Sequence, residues 1–169
     1  DISLSTGDVD FCASVSESAK IETSTGDILV KDIAAGMLDL SVTTGKITVT
    51  EVKVKGDIKA DVSTGKINFA DVSCKSVISD GDTGSITLSN VIAAEKFSVK
   101  RSTGDVKFDG CDAAAIYVKT ETGDVIGTLL SDKVYIIDTD TGSVDVPKTS
   151  AGGRCEIKTD TGDVKIKVK

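Results

Sequence analysis

The chain has 169 residues, a net charge of −7, 39% hydrophobic residues and neither His nor Trp. The acidic balance, with no Lys/Arg cluster, argues against a nucleic-acid partner, and no apolar run reaches the ~20 residues of a membrane-spanning helix. There is no charged-then-apolar leader, and the first residue is Asp1 in mid-repeat, as expected of a processed chain or a piece of a longer one whose signal, anchor or cap lies upstream.

A Thr-Gly pair recurs from one end to the other: Thr6-Gly7, Thr25-Gly26, Thr44-Gly45, Thr64-Gly65, Thr83-Gly84, Thr103-Gly104, Thr122-Gly123, Thr141-Gly142 and Thr161-Gly162. Successive glycines are 19, 19, 20, 19, 20, 19, 19 and 20 residues apart. Such a period marks a repeat architecture, here predicted as one domain over residues 1–169.

Each repeat opens with a strand. Seven residues before the glycine stand Ala19, Leu38, Ile58, Val77, Phe97, Ile116, Tyr135 and Cys155, and five before it Ile2, Ile21, Leu40, Ala60, Ser79, Val99, Val118, Ile137 and Ile157. The row four before the glycine (Ser3, Glu22, Ser41, Asp61, Asp80, Lys100, Lys119, Asp138 and Lys158) is polar, which gives the period-two alternation of a half-buried strand. The Thr-Gly bend follows; its glycine suits φ > 0, and its threonines are expected to stack, hydroxyl on hydroxyl, along the ladder.

A second strand leaves the bend. Two after the glycine come Val9, Ile28, Ile47, Ile67, Ile86, Val106, Val125, Val144 and Val164, all β-branched. Four after it come Phe11, Val30, Val49, Phe69, Leu88, Phe108, Gly127, Val146 and Ile166. The rest of each repeat ("IAAGM", "VKVKGD", "VIAAEK", "CDAAA", "TSAGGR") reads as a corner that absorbs the difference between 19 and 20 residues. One coil cannot bury these rows, but stacked coils can. The predicted fold is all-β, a right-handed parallel β-helix (β-solenoid) of about nine coils, each pairing with the next in sequence. Gly127 then lies between Phe108 and Val146, and Lys165, Lys167 and Lys169 blunt the terminal edge.

No residue is assigned to catalysis, cofactor or metal. Cys12, Cys74, Cys111 and Cys155 sit at different places in the repeat, with no CxxC spacing; Cys111 and Cys155 read as small core residues. The row after the glycine (Asp8, Asp27, Lys46, Lys66, Ser85, Asp105, Asp124, Ser143, Asp163) lacks the glycine-rich nonapeptide of calcium-binding β-rolls and carries two lysines. The acids Glu121, Asp124, Asp138, Asp140, Asp160 and Asp163 gather in the last coils and read as a solvated face, with a bound divalent cation as the weaker alternative. Only Thr48 and Thr50 make the outward Thr-x-Thr pair of an ice-binding face. Without a cleft of convergent acids, bases and aromatics, an enzyme is not expected. One outward row, six before the glycine, holds Ile78, Tyr117 and Ile136, an apolar stripe that is read as scattered surface residues or as a partner contact.

The recurring "STGDV", "STGKI" and "TDTGDVKI" segments, from Ile2 to Val168, resemble the bacterial adhesin domain family, β-strand repeats with "TGD" motifs and no established function. The resemblance implies an envelope-associated, non-enzymatic solenoid that binds a protein or glycan at the cell surface. The alternative is a structural or regulatory scaffold in an envelope-stress system, contacting another protein and not excluded from the cytosolic side.

Overall fold

A computed structural model describes residues 1–169, and all of its regular structure is β. Fourteen strands form one sheet in which every pairing is parallel, wound into a β-solenoid of about eight turns marked by the nine Thr-Gly bends. We number coils 1–9 by their glycines, Gly7 to Gly162. The longest strands, Met37–Val54, Asp57–Asp80, Ile86–Thr103 and Val106–Thr122, keep their ladder while turning corners.

The bend needs glycine for two separate reasons. The nine repeat glycines have φ between 127° and 157°, a region that L side chains rarely adopt. The coils also meet here at closest approach: a Cβ on Gly84 would lie 1.6 Å from the carbonyl oxygen of Gly65. The paired threonine has a different role from the one expected. All nine bend threonines are exposed, and the coil-to-coil hydroxyl bonds come from threonines two residues earlier in the chain. Thr23 donates to the Gly7 carbonyl at 3.2 Å, Thr120 to Gly104 at 3.4 Å and Thr159 to Gly123 at 3.2 Å.

The aspartate after the glycine has a backbone function. The amide N–H of Asp27 donates to Asp8 Oδ1 at 2.8 Å, Lys46 N–H to Asp27, Asp124 N–H to Asp105 and Asp163 N–H to Asp124. Each carboxylate thus satisfies an amide that the bend removes from the ladder. Where lysine stands in adjacent coils, at Lys46 and Lys66, the backbone runs in register through the bend, Gly45 opposite Gly65.

A second corner escaped the sequence reading. Six residues after the glycine, Asp32, Glu51, Asp71 and Asn90 have φ of 53–56°, and Gly110 has 61°. Aspartate and asparagine are the non-glycine residues that adopt this conformation most readily. Beyond this corner lies a third core wall: Ile33, Val52, Val72, Val91 and Cys111 are buried, with Ala35, Val54, Cys74, Ala93 and Ala113 two residues further on. The extra residue of a 20-residue coil is a bulge on this wall, where Ala94 and Glu95 face Ala114 alone. The core holds 40 buried hydrophobic residues, with the Phe97 and Phe108 rings stacked at 5.9 Å.

The last two coils are not stacked in sequence order. The strand Gly153–Thr161 pairs on one side with Val106–Thr122 and on the other with Lys133–Thr141, so coil 9 lies between coils 7 and 8. Backbone bonds agree: Gly123 N–H donates to Thr161 and Gly162 N–H to Thr141. Coil 8 is therefore outermost, and Val144, expected in the core, is 48% exposed because nothing lies above it. Gly127 is flanked by Phe108 and Ile166, not Val146. Lys165 stands between Ile126 and Asp145 and Lys167 beside Thr128, so the lysines do not blunt the terminal edge.

Two outcomes follow from these contacts. Gly84→Ala should lower unfolding stability by about 1–3 kcal/mol from backbone strain alone, with the clash against Gly65 adding to it; chemical denaturation measures this. Hydrogen bonds from Lys165 and from Ser143 hold the Asp163 carboxyl at about 2, below its unfolded value near ~3.9. Its folded pKa is depressed, so its contribution is present above about pH 4 and lost as pH falls towards about 2. An NMR titration of the Asp163 carboxyl should find its midpoint near 2.

Candidate binding face

The wall before the bend carries three outward columns. Along the column six before the glycine, Ile78 is half-buried, Tyr117 is 38% exposed and Ile136 is 44% exposed. The predicted stripe is not continuous. Ser98 lies between Ile78 and Tyr117, and Glu156 lies between Tyr117 and Ile136 because coil 9 is inserted there.

The same insertion builds something else in the next column. Lys100 pairs with Lys119, and Lys119 with Lys158, so three lysines occupy adjacent coils about 4.8 Å apart. Only Lys158 is ion-paired, to Asp138 at 2.7 Å, and this hydrogen bond raises its pKa. Like charges in adjacent strands cost roughly 0.2–1 kcal/mol per pair. The lysines sit between Tyr117 on one side and, on the other, a column of Asp82, Ser102, Glu121 and Asp160 that is mostly acidic. A groove of about 140 Å³ follows the boundary, lined by Ser98, Lys100, Tyr117, Lys119, Glu156 and Lys158. Its neighbour, about 170 Å³, is lined by Asp80, Asp82, Lys100, Lys119 and Glu121, with buried Arg101 beneath.

Arg101 points inward, in the row three before the glycine, and is 3% exposed. It reaches across Gly81 of coil 5 to the Val62 carbonyl of coil 4, at 3.4 Å, and donates to Ser79 Oγ at 3.0 Å. Gly81 makes this possible, since a Cβ there would lie 1.7 Å from the guanidinium. Burial lowers the Arg101 pKa, against the pull of Asp80, Asp61 and Asp82. It braces the core beneath the lysine column.

A second polar cluster lies on the third wall. Lys133, its side chain 3% exposed, is ion-paired with Asp112 at 2.6 Å and bonded to Ser131, which itself donates to Asp112 at 2.8 Å. Burial alone would raise the Asp112 carboxyl, but the bonds from Lys133 and Ser131 outweigh it and hold the carboxyl low. Gly153 of coil 9 pairs with Lys133, and glycine is needed there because a Cβ would lie 1.9 Å from the Ala114 carbonyl oxygen of coil 7. The pair clamps the inserted coil.

Three of the other acids gathered by the sequence are engaged. Asp124 and Asp163 accept backbone amides and Asp138 pairs with Lys158. No group of three or more His, Cys, Asp or Glu side chains is placed to hold a metal ion. All four cysteines are free. Cys74, Cys111 and Cys155 are buried, and burial pushes the Cys74 and Cys155 thiols up to about 12.

The Lys133 clamp gives a testable consequence. Lys133→Ala should cost about 1–3 kcal/mol, since the stranded Asp112 is about a quarter exposed and keeps its bond from Ser131. Amide hydrogen exchange should accelerate over residues 153–161 more than over coils 2–5.

A family model described as Toastrack DUF4097 matches residues 1–70 and 57–169, and the chain belongs to that family, a domain of unknown function with a β-solenoid-like fold. No curated protein and no solved structure matches it.

Proposed function

We propose that this Toastrack solenoid is a non-enzymatic binding module whose contact surface is the Tyr117–lysine face, and that its ligand is an extended acidic glycan lying along the solenoid axis. The observation that carries the reading is the ladder Lys100–Lys119–Lys158, in which two of the three ammonium groups have no carboxylate partner. A chain bearing carboxylates or sulfates at regular intervals offers charge-assisted bonds to such a column. The Tyr117 ring presents an amphipathic surface to a sugar face. The carboxylates of Glu121 and Asp82 accept hydroxyl protons on the far side. Each chemical element of an acidic sugar thus has a counterpart in one of the three columns.

The adhesin-like role and a place at a bacterial envelope rest on the family resemblance. Protease treatment of intact cells tests that placement: digestion of the protein from outside supports it. Protection, with the protein at the inner membrane face or in the cytosol, removes it and turns attention to a protein partner in a regulatory scaffold.

Binding itself is tested by calorimetry with polygalacturonate against neutral dextran. The acidic polymer should bind, the neutral one should not, and the affinity should fall as salt is raised. Lys100→Ala with Lys119→Ala should weaken it about 5–30-fold, from roughly 0.5–1 kcal/mol per exposed ion pair lost. Equal retention on both polymers, or an affinity indifferent to the lysines, would overturn the assignment.

A further inference from the structure

We infer that coil 9 is an exchangeable element, and that two copies of this chain can trade it, each filling the slot between coils 7 and 8 of the other. The slot is a property of the backbone. Strand Gly153–Thr161 is hydrogen-bonded to Val106–Thr122 beneath and Lys133–Thr141 above, and Val164–Val168 lies between Val125–Leu129 and Val144–Asp145. Every contact that receives coil 9 is made by residues before it in the sequence, so a second copy presents the same receptor.

Three features favour exchange. First, coil 9 keeps the turning sense of coil 8, since both pairs of strands are parallel, yet it moves back along the axis. The hand of this one step is therefore opposite to that of the others. Crossovers between parallel strands are overwhelmingly of one hand, and a coil donated to another copy no longer has to make that return within its own stack. Second, the connection is short and has no regular structure: Val146–Gly152 contains Pro147 and ends at Gly152 with φ of 102°. Short hinge loops invite domain swapping. Fully extended, its seven residues span roughly 23 Å. With two copies meeting head to head at their coil 8 ends, the partner's strands run in the opposite direction, so the hinge must reverse the chain while crossing about two coil spacings, ~10 Å, to the partner's slot. Third, that meeting covers Val144, an inward-row residue of coil 8 left 48% exposed because no coil lies beyond it.

The test uses one in-register pair across the slot, Ile126 and Lys165. Neighbouring strand positions bring the Cα atoms within disulfide range. Cys12→Ser removes the one exposed native thiol, and the other three are buried. Two chains with tags of different mass, one carrying Ile126→Cys and the other Lys165→Cys, are unfolded together, refolded and oxidised. The expected result is a mixed disulfide between the two chains, in a dimer detected by light scattering whose fraction rises with protein concentration. A single chain carrying both substitutions serves as the control for folding and should close its disulfide internally when refolded dilute. If that control closes while the separate chains stay unlinked monomers at every concentration, the exchange is overturned. If the control itself cannot close, the slot arrangement fails and the proposal fails with it.

Discussion

The structure depends on how closely successive turns can approach at the Thr-Gly bend. Parallel backbones set a spacing of about 4.8 Å, and at the bend one coil's carbonyl points into the space where the next coil's Cβ would stand. Glycine removes that atom, and the ladders on both sides of the bend then run in register. The rest follows from this registry. Identical rows fall on one another, so β-branched residues two after the glycine fill a column of the core and an aspartate one after it finds the orphaned amide of its neighbour. A substitution that repeats nine times is constrained nine times, which is why the motif survives without any chemistry of its own.

Much of this architecture was legible because period and burial coincide. The parallel solenoid and the inward rows at minus seven, minus five, plus two and plus four could be read from spacing alone. The third wall was read only as a corner. Its residues are short and mixed (Ala35, Cys74, Ala93), and alternation over three or four residues is too brief to separate from a polar loop. The second corner was hidden because its signal is distributed over Asp32, Glu51, Asp71, Asn90 and Gly110, no single one of which demands a left-handed conformation. The order of the last coils had a trace in the sequence after all. After Gly142 the chain reads Pro147-Lys148-Thr149-Ser150, with no apolar residue where other coils place Ile33, Val52 or Val91. That coil has no third wall, as suits one at the end of the stack.

The candidate face shows how topology changes a surface without changing composition. In sequence order the lysine column is interrupted by Asp138, and Tyr117 adjoins Ile136. In space Lys158 joins Lys100 and Lys119, Glu156 separates the two apolar residues, and Asp138 moves to the rim. Tyr117 was found by its outward position alone. Lys100 and Lys119, 19 apart, were legible only as members of a polar row; Lys158 joins them through a pairing between residues 39 apart, not 19 or 20. Arg101 and Gly81 belong to the same lesson: the arginine is a core residue only because a coil below it lacks a side chain.

The inserted coil also sets an order of events. For coils 1–7 each new turn docks on the one just made, a zipper of local steps whose stability accumulates by nearest neighbours. Coil 8 cannot join that zipper when it is synthesised, because the layer on which it rests comes later in the chain. It must wait, its ladder unmade, until coil 9 lies down on coil 7 and offers it an edge. The final two turns therefore assemble as one late, cooperative unit with the longest loop closures in the molecule, slower than the rest of the stack. Until that unit docks, the growing rod ends in the bare edge of coil 7.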